Sequence, residues 1–247
     1  LIIGGSGFIG SHLIEELINY KPRKIIIIDN LSVGQYKNIS HFSKQIKFIK
    51  KDAENFIFLR SLFNNKKIDY VFNLATMALP FSVNYPRKTF ETNVTVILNL
   101  LELLRLKKYK TLCHFSSSEV YGSAINIPMN EQHPLNPTTT YAGGKLAADF
   151  ALKTYCSMFK LDAFIVRPFN NYGPKQLISR KEIGVIPATI KRIINKKSPI
   201  IHGHGNQKRD FIYVKNTTKY ILEIFRKVKS GSEINITNQN VIKIKNL

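Results

Sequence analysis

The sequence predicts an α/β fold built on a doubly wound parallel sheet. Apolar runs recur along the first 170 residues, amphipathic helical stretches separate them, and a glycine-rich turn follows the first run. Strands that alternate with helices in this way are typical of a parallel sheet that helices cover on both faces.

The elements can be assigned in order along the chain. A strand at residues 1–3 leads into a helix whose apolar face carries Ile9, Leu13, Ile14, Leu17 and Ile18. Further apolar runs predict strands at residues 24–29, 46–52, 69–75, 111–117 and 162–170. After Pro174 the pattern loosens into shorter elements, so we predict a main domain at residues 1–170 and a smaller lobe at 171–247. Both ends of the chain fall inside predicted strands, and we expect the sequence to be a fragment.

Composition narrows the class of protein. No apolar run approaches the length of a membrane span, and two cysteines suit a reducing cytoplasm better than a disulfide framework. The net charge of +21 raises nucleic-acid binding as an alternative. Because the lysines are spread over most segments and no nucleic-acid motif accompanies them, a small anionic substrate is the better expectation.

The first turn has the pattern of a phosphate-binding loop. Gly4, Gly7 and Gly10 lie between the first strand and the first helix, where the backbone can approach a pyrophosphate at the helix N-terminus. Asp29 ends the next strand, in position to accept hydrogen bonds from the two hydroxyls of an adenosine ribose and to repel a 2′-phosphate. The pattern predicts a Rossmann-type domain that binds NAD in preference to NADP.

A second pattern predicts proton transfer. In "YAGGK", Tyr141 and Lys145 are four residues apart and share one face of a helix. A lysine ammonium beside the phenol is expected to lower its pKa, so that tyrosine can act as a general base. A serine from the strand end at "FSSSEVYG" is placed to hydrogen-bond the same substrate oxygen.

Taken together, the motifs resemble the extended branch of the short-chain dehydrogenase/reductases, in the nucleotide-sugar epimerase/dehydratase family. The likeness covers nearly the whole chain and rests, in order, on "GGSGFIG", "DNLSVG", "KDA", "NLA", "TNV", "SSSEVYG", "YAGGK", "RPFNNYGP" and "RDFIYV". It implies an NAD-dependent enzyme that modifies a nucleotide-linked sugar through a 4-keto intermediate.

The resemblance also implies residue roles. Ser117, Tyr141 and Lys145 would be catalytic, and Ser117 would contact the substrate together with Asn170 and Arg209. The cofactor would be held by Gly4, Gly7, Phe8, Ile9, Gly10, Asp29, Asn30, Ser32, Gly34, Asp52, Ala53, Leu74, Ala75, Tyr141 and Lys145.

Two departures from the family pattern stand out. Asn73 in "NLA" replaces the commoner histidine, a change that we expect to be tolerated because the backbone makes the contacts there. Relatives also continue well past residue 247, so part of the substrate lobe is expected to be absent.

The reaction type depends on Glu119. In relatives that eliminate water, this position carries the glutamate that takes the C5 proton, often after an aspartate that serves as the acid. Here Ser118 precedes it, and a hydroxyl is a poor proton donor, although some dehydratases and decarboxylases carry Ser-Glu. We therefore favour a UDP-sugar 4-epimerase narrowly, with a 4,6-dehydratase or decarboxylase that uses Glu119 as the alternative. A non-catalytic NAD-binding or nucleic-acid-binding Rossmann protein is the rival class.

Two further expectations concern partners and metals. Residues 87–106 and 138–160 match the helices with which relatives form the four-helix bundle of a homodimer. His202 and His204 flank a glycine, but no cysteine or carboxylate completes a ligand set, so no metal is predicted.

Overall fold

The computed structural model describes residues 1–177 and 184–247. Its strands, in chain order, are β1 (Ile2–Ile3), β2 (Ile25–Asp29), β3 (Ile46–Lys50), β4 (Tyr70–Asn73), β5 (Thr111–Phe115), β6 (Ala163–Pro168), β7 (Asn170–Tyr172), β8 (Lys208–Tyr213), β9 (Glu233–Ile236) and β10 (Val241–Lys243). Seven of them form one parallel sheet in the order β3-β2-β1-β4-β5-β6-β9. The predicted doubly wound parallel sheet is confirmed.

Within the described residues, six α-helices accompany the strands: α1 (Phe8–Asn19), α2 (Phe56–Asn65), α3 (Pro86–Arg105), α4 (Thr140–Phe159), α5 (Val185–Ile194) and α6 (Val214–Ile224). Helices α2, α3 and α4 share one hydrophobic core with the sheet, represented by Leu59, Leu101 and Leu152. On the other face, α1 and α6 form a second core, represented by Leu13 and Ile221. Both faces of the strands are therefore buried, as the apolar runs predicted.

The strand order changes direction between β1 and β4. Strands β2 and β3 lie on one side of β1, whereas β4, β5 and β6 continue on the other side. At such a switch point the loops after the two strands diverge and leave a crevice at their carboxyl ends. The glycine loop after β1 and the "NLA" stretch at the end of β4 meet at this crevice, which positions the candidate site.

A second, three-stranded sheet has the order β10-β8-β7. Strand β7 runs parallel to β8, and β10 runs antiparallel to it. Strand β9, from the same part of the chain, pairs with β6 in the large sheet. Residues 233–236 thus belong to the large sheet, and the division of the chain at residue 170 stays a prediction.

The length and composition of the helices determine whether any of them could span a membrane. Among residues 1–177 and 184–247, no helix combines the length and the apolar character that a membrane span requires.

Candidate active site

A cavity of about 420 Å³ opens at the switch point of the large sheet. Its walls come from the carboxyl ends of β1, β2, β4, β5 and β6 and from the first turns of α1 and α4. Every residue predicted to contact the cofactor lines it: Gly4, Gly7, Phe8, Ile9, Gly10, Asp29, Asn30, Ser32, Gly34, Asp52, Ala53, Leu74, Ala75, Tyr141 and Lys145. Their individual roles stay predictions.

The glycine loop is packed too tightly for side chains. Gly4 has a φ of +76°, and a Cβ there would lie 2.8 Å from the backbone nitrogen of Ala75. A Cβ on Gly10 would lie 2.5 Å from the carbonyl oxygen of Gly4. Helix α1 starts from Gly7 without a side-chain cap and without an acidic residue in its first turn. Its N–H groups and positive dipole end therefore suit an anionic group such as the pyrophosphate of NAD.

Asp29 links the end of β2 to this loop. Its carboxylate accepts hydrogen bonds from the backbone N–H groups of Ser6 (2.9 Å) and Leu31 (2.8 Å). Only 8% of the residue is exposed, and burial raises the pKa of the carboxyl. A neighbouring pair, Asn30 and Asp52, is joined by a 3.0 Å hydrogen bond at the same end of the cavity. This end offers carboxylate and amide oxygens to a ribose, as predicted for NAD.

The three predicted catalytic residues line the opposite end of the cavity. Ser117 follows β5, whereas Tyr141 and Lys145 lie on the first turns of α4. The Lys145 Nζ is buried and donates a 2.8 Å hydrogen bond to the carbonyl oxygen of Phe115. It lies 6.0 Å from the centre of the Tyr141 ring. The structure thus brings all three side chains together.

One expectation about Tyr141 is wrong for the protein as described. Burial raises the Tyr141 pKa to about 12, even though the hydroxyls of Ser117 and Thr76 act to lower it. Burial also lowers the Lys145 pKa to about 8. The Lys145 ammonium is bonded to a backbone carbonyl, and its Nζ lies over the phenol ring, 6.0 Å from the ring centre. Removal of water from both groups outweighs their mutual effect.

Glu119 lies just outside this group. It lies in the short 3₁₀ helix Ser118–Tyr121, and its backbone N–H donates a hydrogen bond to Ser117 Oγ at 3.2 Å. Within the described chain, its carboxylate does not line the cavity and accepts no hydrogen bond. Its charge nevertheless contributes to raising the pKa of Tyr141. The carboxylate is therefore close to the phenol without being engaged in the loop.

Asn170 and Arg209 line a second cavity, of about 360 Å³. Asn170 Nδ2 donates to the carbonyl oxygen of Asp210 at 3.0 Å, and the exposed Arg209 lies on the same strand as Asp210. Asn171 lines both cavities, so they adjoin there. Asn170 and Arg209 thus lie next to the cofactor cavity but outside it, whereas Ser117, the third predicted substrate residue, lines it.

The two histidines considered for a metal differ in their relation to this second cavity. His202 lines it, and His204 is exposed. Across residues 1–177 and 184–247, no cluster of three or more His, Cys, Asp or Glu side chains could hold a metal ion.

Several wall residues were missed from the sequence. Thr76 lines the cofactor cavity, and its hydroxyl donates a 2.7 Å hydrogen bond to Asn93 Oδ1. Its position after β4 could have identified it, because side chains that follow the carboxyl ends of central strands face the crevice. Thr92 also lines the cavity, one residue before the asparagine of "TNV".

The departure at Asn73 has a structural counterpart. Its side-chain oxygen accepts from the backbone N–H of Ala75 at 3.3 Å, and its amide nitrogen lies 3.1 Å from His114 Nδ1. Leu74 and Ala75 of "NLA" line the cavity, whereas Asn73 does not, and the asparagine side chain makes contacts of its own.

Comparison with known proteins identifies the family. The family model of NAD dependent epimerases/dehydratases matches residues 1–237. A putative UDP-glucose 4-epimerase of Methanocaldococcus jannaschii is 35% identical over 89% of this chain and 70% of its own length. A dTDP-D-glucose 4,6-dehydratase of Dictyostelium discoideum is 34% identical over 96% of this chain and 57% of its own length.

Solved structures agree with the sequence comparisons. The UDP-N-acetylglucosamine 4-epimerase of Methanobrevibacter ruminantium superposes with a TM-score of 0.90 at 35% identity, over 99% of this chain and 78% of that one. The predicted family, its class of enzyme and its cofactor are thereby confirmed, and the chain belongs to the NAD-dependent epimerase/dehydratase family.

Proposed function

We propose that this chain carries the active site of an NAD-dependent UDP-sugar 4-epimerase. One observation carries the proposal: Ser117, Tyr141 and Lys145 line a single cavity with the phosphate loop, whereas Glu119 does not line it. Inversion at C4 requires removal and return of a proton at one oxygen, and the first three residues suffice for that. Relatives of both reaction types are similar to the chain, so the reaction type rests on this geometry.

When bound, NAD supplies the acceptor and donor of a hydride. The protein moves the proton. Tyr141 removes the proton of the C4 hydroxyl as a general base and returns it as a general acid. Ser117 donates a hydrogen bond to the same oxygen as its charge changes. Burial raises the Tyr141 pKa to about 12, and in the proposed reaction the positive charge of Lys145 supports the ionised form of the phenol.

A 4,6-dehydratase or decarboxylase is the second candidate. It is favoured by the Glu119 carboxylate, which is close enough for its charge to act on Tyr141 and is engaged by no hydrogen bond in the described chain. A free carboxylate beside the reacting sugar could remove the C5 proton. Ser118, which precedes it, supplies no comparable acid.

A non-catalytic NAD-binding or nucleic-acid-binding protein is the rival class. A protein that only senses NAD has no need of a tyrosine, a lysine and a serine gathered at one end of the cavity. Retained NAD together with turnover of a nucleotide sugar separates the classes.

The experiment that separates epimerase from dehydratase is Glu119→Gln, assayed in heavy water with UDP-glucose and with dTDP-glucose. For a 4-epimerase, both the native protein and the variant invert C4 without incorporating deuterium at C5. Deuterium at C5 in the native protein and its loss in the variant would replace the proposal by the dehydratase. Glu223→Gln, an exposed change on α6, is the matched control and should behave as the native protein does.

We also propose that the protein is a homodimer. Helices α3 and α4 pack against each other and expose several large apolar side chains: Phe90, Leu98, Phe150, Met158 and Phe159. These helices coincide with the two segments predicted to pair. Exposed apolar groups on one pair of helices support a second copy that covers them, and a monomeric mass by light scattering would contradict this.

A further inference from the structure

A buried group of charged and titratable side chains lies beneath the active site. Arg167, Asp149, His114 and Lys145 are each at most 2% exposed. Charges that are removed from water in this way are costly unless they are paired. The reaction proposed above uses only Lys145, so the other three require a separate explanation.

The two carboxylate oxygens of Asp149 differ in their hydrogen bonds. Oδ2 accepts from Arg167 Nε at 3.1 Å and Nη2 at 2.9 Å, and from Ser116 Oγ at 2.9 Å. Oδ1 is buried and accepts no hydrogen bond within the described chain. Three donors on a single oxygen fix the orientation of the carboxylate and leave the second oxygen available.

His114 faces that second oxygen. Its Nε2 lies 3.9 Å from Asp149 Oδ1. The contact of Asn73 with the Ala75 N–H orients the asparagine amide, so that its Nδ2 donates to His114 Nδ1. Nδ1 is then an acceptor and the imidazole proton is on Nε2. Burial, and secondarily the charge of Lys145, keep the His114 pKa well below its ordinary value, so this ring is neutral.

Asp149 lies one helical turn after Lys145 on α4. Burial lowers the pKa of Lys145, and the charge of Asp149 opposes that effect. The other groups around the ammonium are neutral: the Tyr141 ring on the same helix, the Phe115 carbonyl and His114 on β5. Arg167, on β6, binds the far side of the Asp149 carboxylate. Asp149 is thus the anion on which the charge of the buried lysine depends.

We propose that Asp149 is a positioning residue for catalysis, which keeps Lys145 protonated in its buried site while Arg167 and Ser116 hold the carboxylate in place. For its catalytic consequence the inference rests on the proposed function, but the protonation of Lys145 does not. Without the anion, Lys145 would lose its proton at a lower pH, and the ionised form of Tyr141 would lose its support.

The structure offers a matched control. Arg167 also contacts Glu233, through Nη1 at 3.3 Å and Nη2 at 3.2 Å. Asp149→Asn and Glu233→Gln therefore each remove one carboxylate partner of Arg167. Only Asp149 acts on Lys145. General damage to the buried network would change the Lys145 pKa in both variants. Loss of the Asp149 charge would lower the Lys145 pKa only in Asp149→Asn.

The test is the protonation of Lys145, followed without cofactor or substrate by NMR of protein labelled at lysine Cε, with Lys145→Met identifying the resonance. We expect a midpoint near pH 8 in the native protein, as its pKa of about 8 requires. In Asp149→Asn the midpoint should fall by about one unit or more, the usual effect of an opposite charge. In Glu233→Gln and in Asp149→Glu it should stay within about 0.3 units of the native value. Equal shifts in Asp149→Asn and Glu233→Gln, or no shift in either, would overturn the proposal.

A second measurement needs no variant that could fail to fold. The Asp149 pKa is raised by burial to about 6. In the native protein the Lys145 resonance should therefore show a smaller inflection near pH 6, and its absence would also overturn the proposal. NAD binding between pH 6 and 9 gives the functional readout. As the pH rises, the affinity for NAD should fall at a lower pH in Asp149→Asn than in Glu233→Gln. If Lys145 titrates as expected but no nucleotide sugar is turned over, the proposed function fails and the role of Asp149 stands.

Discussion

The two cavities of this protein are built in different ways. The cofactor cavity lies at the carboxyl ends of buried parallel strands, and the glycines of its first loop leave no space for side chains. The second cavity is lined by residues from separate segments, among them Asn170, His202 and Arg209, and the last two are exposed. A close-packed glycine loop tolerates little change, whereas exposed side chains can be substituted and so change the ligand that they bind.

This difference implies that the two ligands can be perturbed separately. A substitution around the cofactor should alter NAD binding or its chemistry, and a substitution in the second cavity should alter only the affinity for the nucleotide sugar. Three substitutions distinguish the binding of the cofactor from that of the nucleotide sugar, and their expected effects decrease from the first to the third.

The largest effect is expected for Tyr141→Phe. Loss of the phenol removes proton transfer, which typically contributes about 10²–10⁴ in rate, while the phosphate loop still binds NAD. Turnover of UDP-glucose and NAD binding by fluorescence check the two parts. Tyr155→Phe is the control on the same helix, because the Tyr155 hydroxyl bonds Glu102 and does not reach the cavity. Near-native turnover in Tyr141→Phe would show that the catalytic assignment is wrong.

Arg209→Ala should raise the KM for the nucleotide sugar by roughly 10- to 100-fold. Loss of one charge-assisted hydrogen bond costs about 1.5–3 kcal/mol, and a tenfold change corresponds to about 1.4 kcal/mol. NAD affinity should stay at the native value, because Arg209 lies outside the cofactor cavity. Lys208→Ala, the exposed neighbour, is the control. Equal effects of the two substitutions would mean that Arg209 contributes only general positive charge.

Asp29→Ala should narrow the preference for NAD over NADP roughly tenfold, since repulsion of a 2′-phosphate by a buried carboxylate is worth on the order of a few kcal/mol at most. The affinity for NAD itself should also fall, because the carboxylate accepts the Ser6 and Leu31 N–H groups. The ratio of the two dissociation constants, measured by calorimetry, separates the effects. Equal affinities for NAD and NADP in the native protein would contradict the assignment of Asp29.

The sequence was sufficient for the large sheet and the cofactor cavity because their determinants are local. The glycine loop, Asp29 and the pair Tyr141–Lys145 each encode a turn, a strand end or a helix face within a few residues. The pKa of Tyr141 was not predictable in this way, since it depends on burial by residues far along the chain. The same holds for the contact between Asn73 and His114, which joins two neighbouring strands.

The lobe was harder to predict for the same physical reason. The return of β9 to the large sheet depends on pairing with β6, and no local pattern records which strand will be the neighbour. Residues 178–183, which the sequence assigned to the lobe, lie outside the described residues.

The position of β9 also has a consequence for biosynthesis. Strand β6 is complete at Pro168, but β9, the strand that pairs with its outer edge, exists only when residues 233–236 have been translated. Until then one row of β6 backbone N–H and C=O groups has no strand beside it, and an open edge of this kind can pair with other chains. During the same interval Arg167 lacks its contact with Glu233, and the Tyr121 hydroxyl lacks its hydrogen bond with Asn235. The nascent protein therefore passes through an interval in which the NAD-binding sheet is nearly finished yet open to aggregation.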